Sequence, residues 1–172
     1  MTPRTCLLLM LLAHVASLLL IPGFAHATTF VCGSLSGNVQ WTPSGSPYVV
    51  CSSGAVLTSG STLAIDPGVI VKLENGARLT INGTLQAIGT QVDSIIVTSI
   101  HDDAYGGDTN NNGGGTVPAR GDWDFLWLNG TASSVLEYCH VRYAGQVDGA
   151  IYFDGNATVR RCLVALSGTP TR

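Results

Sequence analysis

Leu136-Glu-Tyr-Cys-His-Val-Arg-Tyr-Ala-Gly145 and Val159-Arg-Arg-Cys-Leu-Val-Ala-Leu-Ser-Gly168 are one phrase written twice, at a constant offset of 23. The offset superposes Leu136 on Val159, Cys139 on Cys162, Val141 on Val164 and Tyr143 on Leu166. Just upstream, Leu126-Trp-Leu-Asn-Gly130 matches Ile151-Tyr-Phe-Asp-Gly155 at an offset of 25. Apolar residues alternate with polar ones in each copy, the period of a strand with one buried face. Short strands repeated at this step are the mark of a solenoid, because matching residues must recur once per coil.

The pattern extends toward the N-terminus. In Ser61–Leu73, the residues Leu63, Ile65, Val69, Val71 and Leu73 fall on one face. Arg78–Ile88 repeats the scheme, with Leu79, Ile81, Leu85 and Ala87 following Leu63, Ile65, Val69 and Val71 at an offset of 16. Gly68 and Gly83 stand between the paired runs, where the chain must turn. No helical stripe of useful length occurs. The reading is an all-β parallel β-helix, in which each residue stacks on its equivalent ~4.8 Å away in the next coil. Internal aliphatic ladders then supply the core.

Positions 1–27 read as a secretory signal peptide. Arg4 precedes an apolar run from Cys6 to Ile21, Pro22-Gly23 breaks it, and Ala25-His26-Ala27 is a small-residue cleavage site. The run is shorter than the ~20 apolar residues that a membrane-spanning helix needs. The domain plan is therefore a leader at 1–27, an N-terminal segment and first coil at 28–60, and β-helix coils at 61–172, interrupted by a long Asp/Asn/Gly loop at 101–122. The full chain has 172 residues, 11% of them charged, and a net charge of −3. Loss of Arg4 leaves seven basic against eleven acidic residues, a net charge of −4. A nucleic-acid partner is not expected at that balance, and no later segment is long and apolar enough to span a membrane. The expected location is extracellular, cell-surface or periplasmic.

Trp41–Ser99 and Gly121–Gly168 resemble exported right-handed parallel β-helix repeat proteins of the pectin-lyase-like superfamily. The residues that carry the resemblance are Leu63-Ala-Ile-Asp-Pro-Gly-Val-Ile-Val-Lys72, Leu79-Thr-Ile-Asn-Gly-Thr-Leu-Gln-Ala-Ile-Gly-Thr90, Ile96-Val-Thr-Ser99 and Gly121-Asp-Trp123, with Ser46–Val50 and Gly107–Asn110 extending it. The resemblance implies a right-handed, single-stranded β-helix and export. It implies little about activity, because that superfamily mixes lyases, hydrolases, adhesins and other modules. Its members are usually longer, and no capping element follows Val159–Gly168, so a partial chain is expected.

Four cysteines remain after the leader, an even count that permits two disulfides in an exported chain. Cys32 and Cys51 are expected to bond and tie down the first coil, worth ~3 kcal/mol by loop-closure entropy. Cys139 and Cys162 are one coil apart. In-register side chains point the same way, which makes the disulfide torsion awkward. Stacked thiols are expected there, with a strained bond as the alternative.

Chemistry is sparser. Asp108-Thr-Asn110-Asn-Asn112-Gly113 fits the first half of a calcium loop, with oxygen ligands at alternate positions. Ala119 stands where the bidentate Glu belongs, and Asp102 or Asp103 would have to supply that charge. Calcium at Asp102, Asp103, Asp108, Asn110 and Asn112 is thus the one cofactor expectation, against a solvated loop. Asp122 and Asp124 flank Trp123 at the expected start of a strand, where they would point the same way. Paired carboxylates serve glycoside hydrolysis, but the further Asp pairs and Gly-His-Gly element of the resembling hydrolases do not occur here. His101 and His140 lack ligand spacing.

Among the aromatics, Trp127 and Tyr152 are equivalent in adjacent coils. Both lie between inward residues, so both face outward. An outward aromatic pair is a ligand-stacking platform for sugars, or a sheet-stabilising cross-strand pair. No catalytic motif is found. The expectation is a secreted or cell-surface module that binds a polysaccharide, a cell-surface glycan or another ligand, or serves as an adhesion scaffold. The alternative is part of a polysaccharide lyase or glycoside hydrolase.

Overall fold

The computed structural model describes residues 28–147 and 149–167; the leader assigned to 1–27 lies outside them. The strands in chain order are β1 (Thr29–Leu35), β2 (Asn38–Trp41), β3 (Tyr48–Leu57), β4 (Thr62–Ile65), β5 (Ile70–Leu73), β6 (Leu79–Ile81) and β7 (Thr84–Ile88). They continue with β8 (Ile95–Ser99), β9 (Leu126–Leu128), β10 (Ser134–Glu137), β11 (Cys139–Arg142), β12 (Ile151–Phe153), β13 (Ala157–Arg160) and β14 (Leu163–Ala165). All pairings given for these strands are parallel. They stack as a β-solenoid of about six turns. Among the described residues no helix is long and apolar enough to cross a membrane.

The pairings define three faces. The first runs β3–β5–β8–β11–β14, the second β3–β6–β9–β12, and the third β2–β4–β7–β10–β13. Strand β3 is long enough to serve two faces: Tyr48–Val50 pairs with β5, and Ala55–Leu57 pairs with β6. Strand β1 lies against both halves of β3 and carries Cys32, which is bonded to Cys51 across a Cα separation of 5.2 Å.

Register follows the C-terminal repeat. Leu136 stacks on Val159, Val141 on Val164, and Trp127 on Tyr152. The offset of 16 between Leu63 and Leu79 is not a coil step. Leu63 stacks instead on Leu85, an offset of 22, and Val71 on Val97, an offset of 26. The shorter match links β4 to β6, strands of different faces that share only their alternation of buried residues. Inward residues form ladders such as Trp41–Ile65–Ala87–Leu136, all buried. Each ladder removes apolar surface from water at roughly 25 cal/mol per Å². Trp41, at the first coil, stacks on Tyr48 with ring centroids 4.8 Å apart.

Cys139 and Cys162 are unbonded and stacked, the Cys139 N–H donating to Cys162 Sγ at 3.4 Å. Burial pushes the Cys139 thiol above its ordinary pKa, and the neighbouring Cys162 adds to the shift. Thiol titration of the denatured, unreduced chain lacking positions 1–27 is expected to find two free thiols, mapping to Cys139 and Cys162. A free thiol at Cys32 or Cys51 would contradict the fold of the first coil.

The last described coil is held partly by charge. Glu137 on β10 accepts from Arg160 Nη2 at 2.7 Å and from Arg161 Nη1 at 2.8 Å. The hydrogen bond from Arg160 is the main influence holding the Glu137 carboxyl below the usual carboxylate range. A carboxyl depressed in the folded state stabilises above its unfolded pKa, and that contribution is lost as pH falls through the folded value. The melting temperature should therefore fall on acidification from about pH 6 to 3, with Glu137 contributing. Glu137→Gln should lower the midpoint at the upper end and flatten the slope. An unchanged slope in that variant would assign the acid sensitivity elsewhere.

Candidate functional site

The outward aromatics assemble on the second face. Thr80, Trp127 and Tyr152 stand in one column across β6, β9 and β12. Trp127 and Tyr152 do not stack ring on ring. Phe125, just before β9, makes edge contacts with both, at centroid distances of 6.3 Å to Trp127 and 4.9 Å to Tyr152. Asp154 closes one side: Trp127 Nε1–H donates to its Oδ2 at 2.8 Å. Arg78 lies over the Phe125 ring at 5.4 Å and pairs with the buried Asp124 carboxylate at 3.3 Å. Phe125, Trp127, Tyr152 and Asp154 line an open pocket of about 200 Å³. Its walls are aromatic edges and faces, with one carboxylate acceptor. That combination suits a ligand with an apolar face and peripheral hydroxyls. The alternation of β9 makes Trp127 and Tyr152 legible in the sequence. Phe125 and Asp154 escape that reading because they lie just outside the repeated strands.

The long loop is a strap over the first face. Lys72 and Thr98 point outward in register on β5 and β8, yet both are fully buried beneath it. Lys72 Nζ donates to the Gly107 carbonyl at 2.6 Å, and Thr98 Oγ1 donates to Asp102 Oδ2 at 2.6 Å. Burial lowers the Lys72 pKa, opposed by the fields of Asp103, Asp102 and Asp108.

Of the expected calcium ligands, Asp102, Asp108 and Asn112 have oxygens engaged by protein donors. Asp108 accepts the Asn112 and Gly113 N–H groups at 3.0 and 2.7 Å, which holds its carboxyl below the ordinary value, Gly113 contributing most. Asn112 Oδ1 accepts the Gly114 and Gly115 N–H groups, both at 3.0 Å, and Asn110 Nδ2 donates to Thr116 at 3.3 Å. Asp103 Oδ1 and Asn110 Oδ1 are buried without a hydrogen-bond partner. Among the described residues no group of three or more His, Cys, Asp or Glu is placed to hold a metal ion.

Asp122 and Asp124 do not open a strand. They lie in the turn before β9, which begins at Leu126, and they serve different partners. Asp124 pairs with Arg78, whereas Asp122 Oδ2 accepts from Ser99 Oγ at 2.6 Å and from the Ala119 N–H at 3.0 Å. His101 Nδ1 stands 3.3 Å from the same oxygen. Ser99, His101 and Asp122 therefore gather a hydroxyl, an imidazole and a carboxylate. A nucleophilic serine needs the imidazole as its proton acceptor. Here the hydroxyl donates to the carboxylate, so the cluster fastens the two ends of the strap.

Comparison with protein-family models, curated proteins and solved structures finds no match. The solenoid and the geometry of its faces are the ground for the function.

Proposed function

We propose that the chain is an exported, non-catalytic β-solenoid module that binds carbohydrate on its second face, at Trp127 and Tyr152. The observation that carries this reading is the open cluster of Phe125, Trp127 and Tyr152 with Asp154 at its edge. The platform stacks on the apolar face of a sugar ring, and the Asp154 carboxylate, already holding Trp127, accepts from hydroxyls beside it. The sequence resemblance to right-handed β-helix proteins of the pectin-lyase-like superfamily agrees with a polysaccharide or cell-surface glycan as partner, and with a location outside the cell.

Isothermal titration against neutral oligosaccharides, chosen from a glycan array, tests it. Trp127→Ala is expected to weaken binding about tenfold or more, the effect of removing one aromatic anchor. Stability should change by less than about 1 kcal/mol, because the side chain is partly exposed. Binding that survives both Trp127→Ala and Tyr152→Ala would defeat the reading.

A polysaccharide lyase or hydrolase is the alternative class. Its candidate carboxylates Asp122 and Asp124 are each engaged by other side chains. Zymograms on uronic-acid and neutral glycans, with Asp122→Ala and Asp124→Ala as controls, separate the classes. Calcium in the strap is a further reading, favoured only by the partnerless Asp103 Oδ1 and Asn110 Oδ1. No melting shift at millimolar calcium would remove it, since a bound ion must stabilise by mass action.

A further inference from the structure

Beside the strap, one column of the first face is only partly covered: Ile70 and His140 are half-buried and Ile96 is buried. Ile70, Ile96 and His140 stand in register on β5, β8 and β11, and Ile70 and Ile96 are the outward positions just before the buried Lys72 and Thr98. Two depressions meet on this column. One, of about 580 Å³, includes Pro47, Ile70, Gly107 and Asp108 in its lining. The other, of about 370 Å³, includes Ile70, Asp93, Ile96 and His140. Gly68 and Ile70 line both, so they form a continuous groove across successive coils. Gly106 lets one wall close on the floor: it sits at φ +71, and a Cβ there would press on Pro47 at 3.2 Å.

The groove has a sign. Asp108 stands on the strap wall and Asp93 on the opposite turn. Both are exposed, and neither makes an ion pair within 4.0 Å among the described residues. The surrounding carboxylates are Asp93, Asp102, Asp103 and Asp108; the facing cations are Lys72, buried, and Arg142, beside Asp102 at 4.0 Å. Carboxylates therefore exceed cations around an aliphatic floor. A sugar would want an aromatic face there. The one aromatic side chain lining the groove, Tyr105, already has Arg142 over its ring at 5.0 Å.

We infer that this groove binds an extended cationic peptide, whose aliphatic side chains lie on Ile70 and whose lysine or arginine side chains reach Asp93 and Asp108. The site is separate from the aromatic platform and does not depend on it. Opposite charge along both walls selects and orients such a segment, and the apolar floor supplies contact area.

Fluorescence anisotropy of the purified protein with a labelled peptide alternating lysine and leucine is the test, beside a glutamate–leucine peptide and a neutral oligosaccharide. The lysine peptide should bind, and binding should weaken as salt is raised. Asp93→Lys should weaken it about tenfold, an attraction replaced by a repulsion at an exposed site. Ile70→Ser should weaken it at all salt concentrations. Trp127→Ala should leave it unchanged, which separates this groove from the carbohydrate site. Circular dichroism and melting of each variant establish that it is folded. Failure of the lysine peptide to bind at low salt would overturn the inference. So would equal binding of the glutamate peptide, or an oligosaccharide as the ligand that Asp93→Lys or Ile70→Ser displaces.

Discussion

Trp123→Ala is expected to lower the unfolding free energy by about 4 kcal/mol, within the range for deleting a buried tryptophan. Trp123 is fully buried at the junction between the strap and β9, and packs into the common core. Its Nε1–H donates to the Arg142 carbonyl at 2.8 Å, at the end of β11. Alanine would leave a cavity and an unsatisfied carbonyl together. It would also release the turn whose next residue, Asp124, donates its N–H to the Ala77 carbonyl at 2.8 Å. Urea unfolding measures the loss. Trp123→Phe separates the parts, because it keeps much of the volume and leaves the Arg142 carbonyl without its donor, at about 1–3 kcal/mol. If alanine and phenylalanine cost the same, packing is not what Trp123 supplies.

Trp123 also marks what sequence reading reaches. Alternation identifies Trp127 and Tyr152 as outward, because both sit between inward residues of strands that recur at an offset of 25. Trp123 lies before its strand, which begins at Leu126, so the strand start expected at Asp122–Asp124 does not give its direction. The same limit applies to Asp122 and Asp124. Counted as strand residues they face one way; in the turn they diverge, one to Ser99 and one to Arg78.

The solenoid itself is legible where coils follow one another without interruption. Leu136 on Val159 and Cys139 on Cys162 share one step, and the structure stacks them so. Further upstream the strap enlarges one coil. Ile81 stacks on Leu128 and Val97 on Val141, at offsets of 47 and 44, steps that no simple repeat search recognises.

Lys72 shows a different limit. It lies between the inward Val71 and Leu73 and so points outward, where a lysine is ordinarily solvated. Only the folded strap buries it, through a contact with Gly107, far along the chain. Of the carboxylates read as calcium ligands, Asp102 accepts from Thr98 and stands 4.0 Å from Arg142, and Asp108 accepts N–H groups of its own loop.

Gly130→Ala is expected to cost about 4 kcal/mol, at the severe end for a point substitution. Gly83, Gly130 and Gly155 occupy one corner in three successive coils. A Cβ on Gly130 would overlap the Gly83 carbonyl oxygen, and one on Gly155 would overlap the Gly130 carbonyl oxygen. In each case the obstacle is backbone, which cannot change rotamer to make room. Relief requires lifting one coil off another, and that stretches bonds such as Asn129 N–H to Ile81 O, now 2.9 Å. It would also separate Asn129 Nδ2 from Asn82 Oδ1, which stack beside this corner at 3.1 Å. Position along the solenoid should set the cost. Gly83 and Gly130 have coils on both sides, whereas Gly155 lies in the last described coil, where Phe153 and Leu163 are half exposed. Each coil contacts mainly its neighbours, so an end coil can splay at lower cost than an internal one. Thermal and urea unfolding of Gly83→Ala, Gly130→Ala and Gly155→Ala should therefore rank the first two as severe and the third as mild. A Gly130→Ala protein that melts with the wild type would mean that the coils are not stacked at this corner.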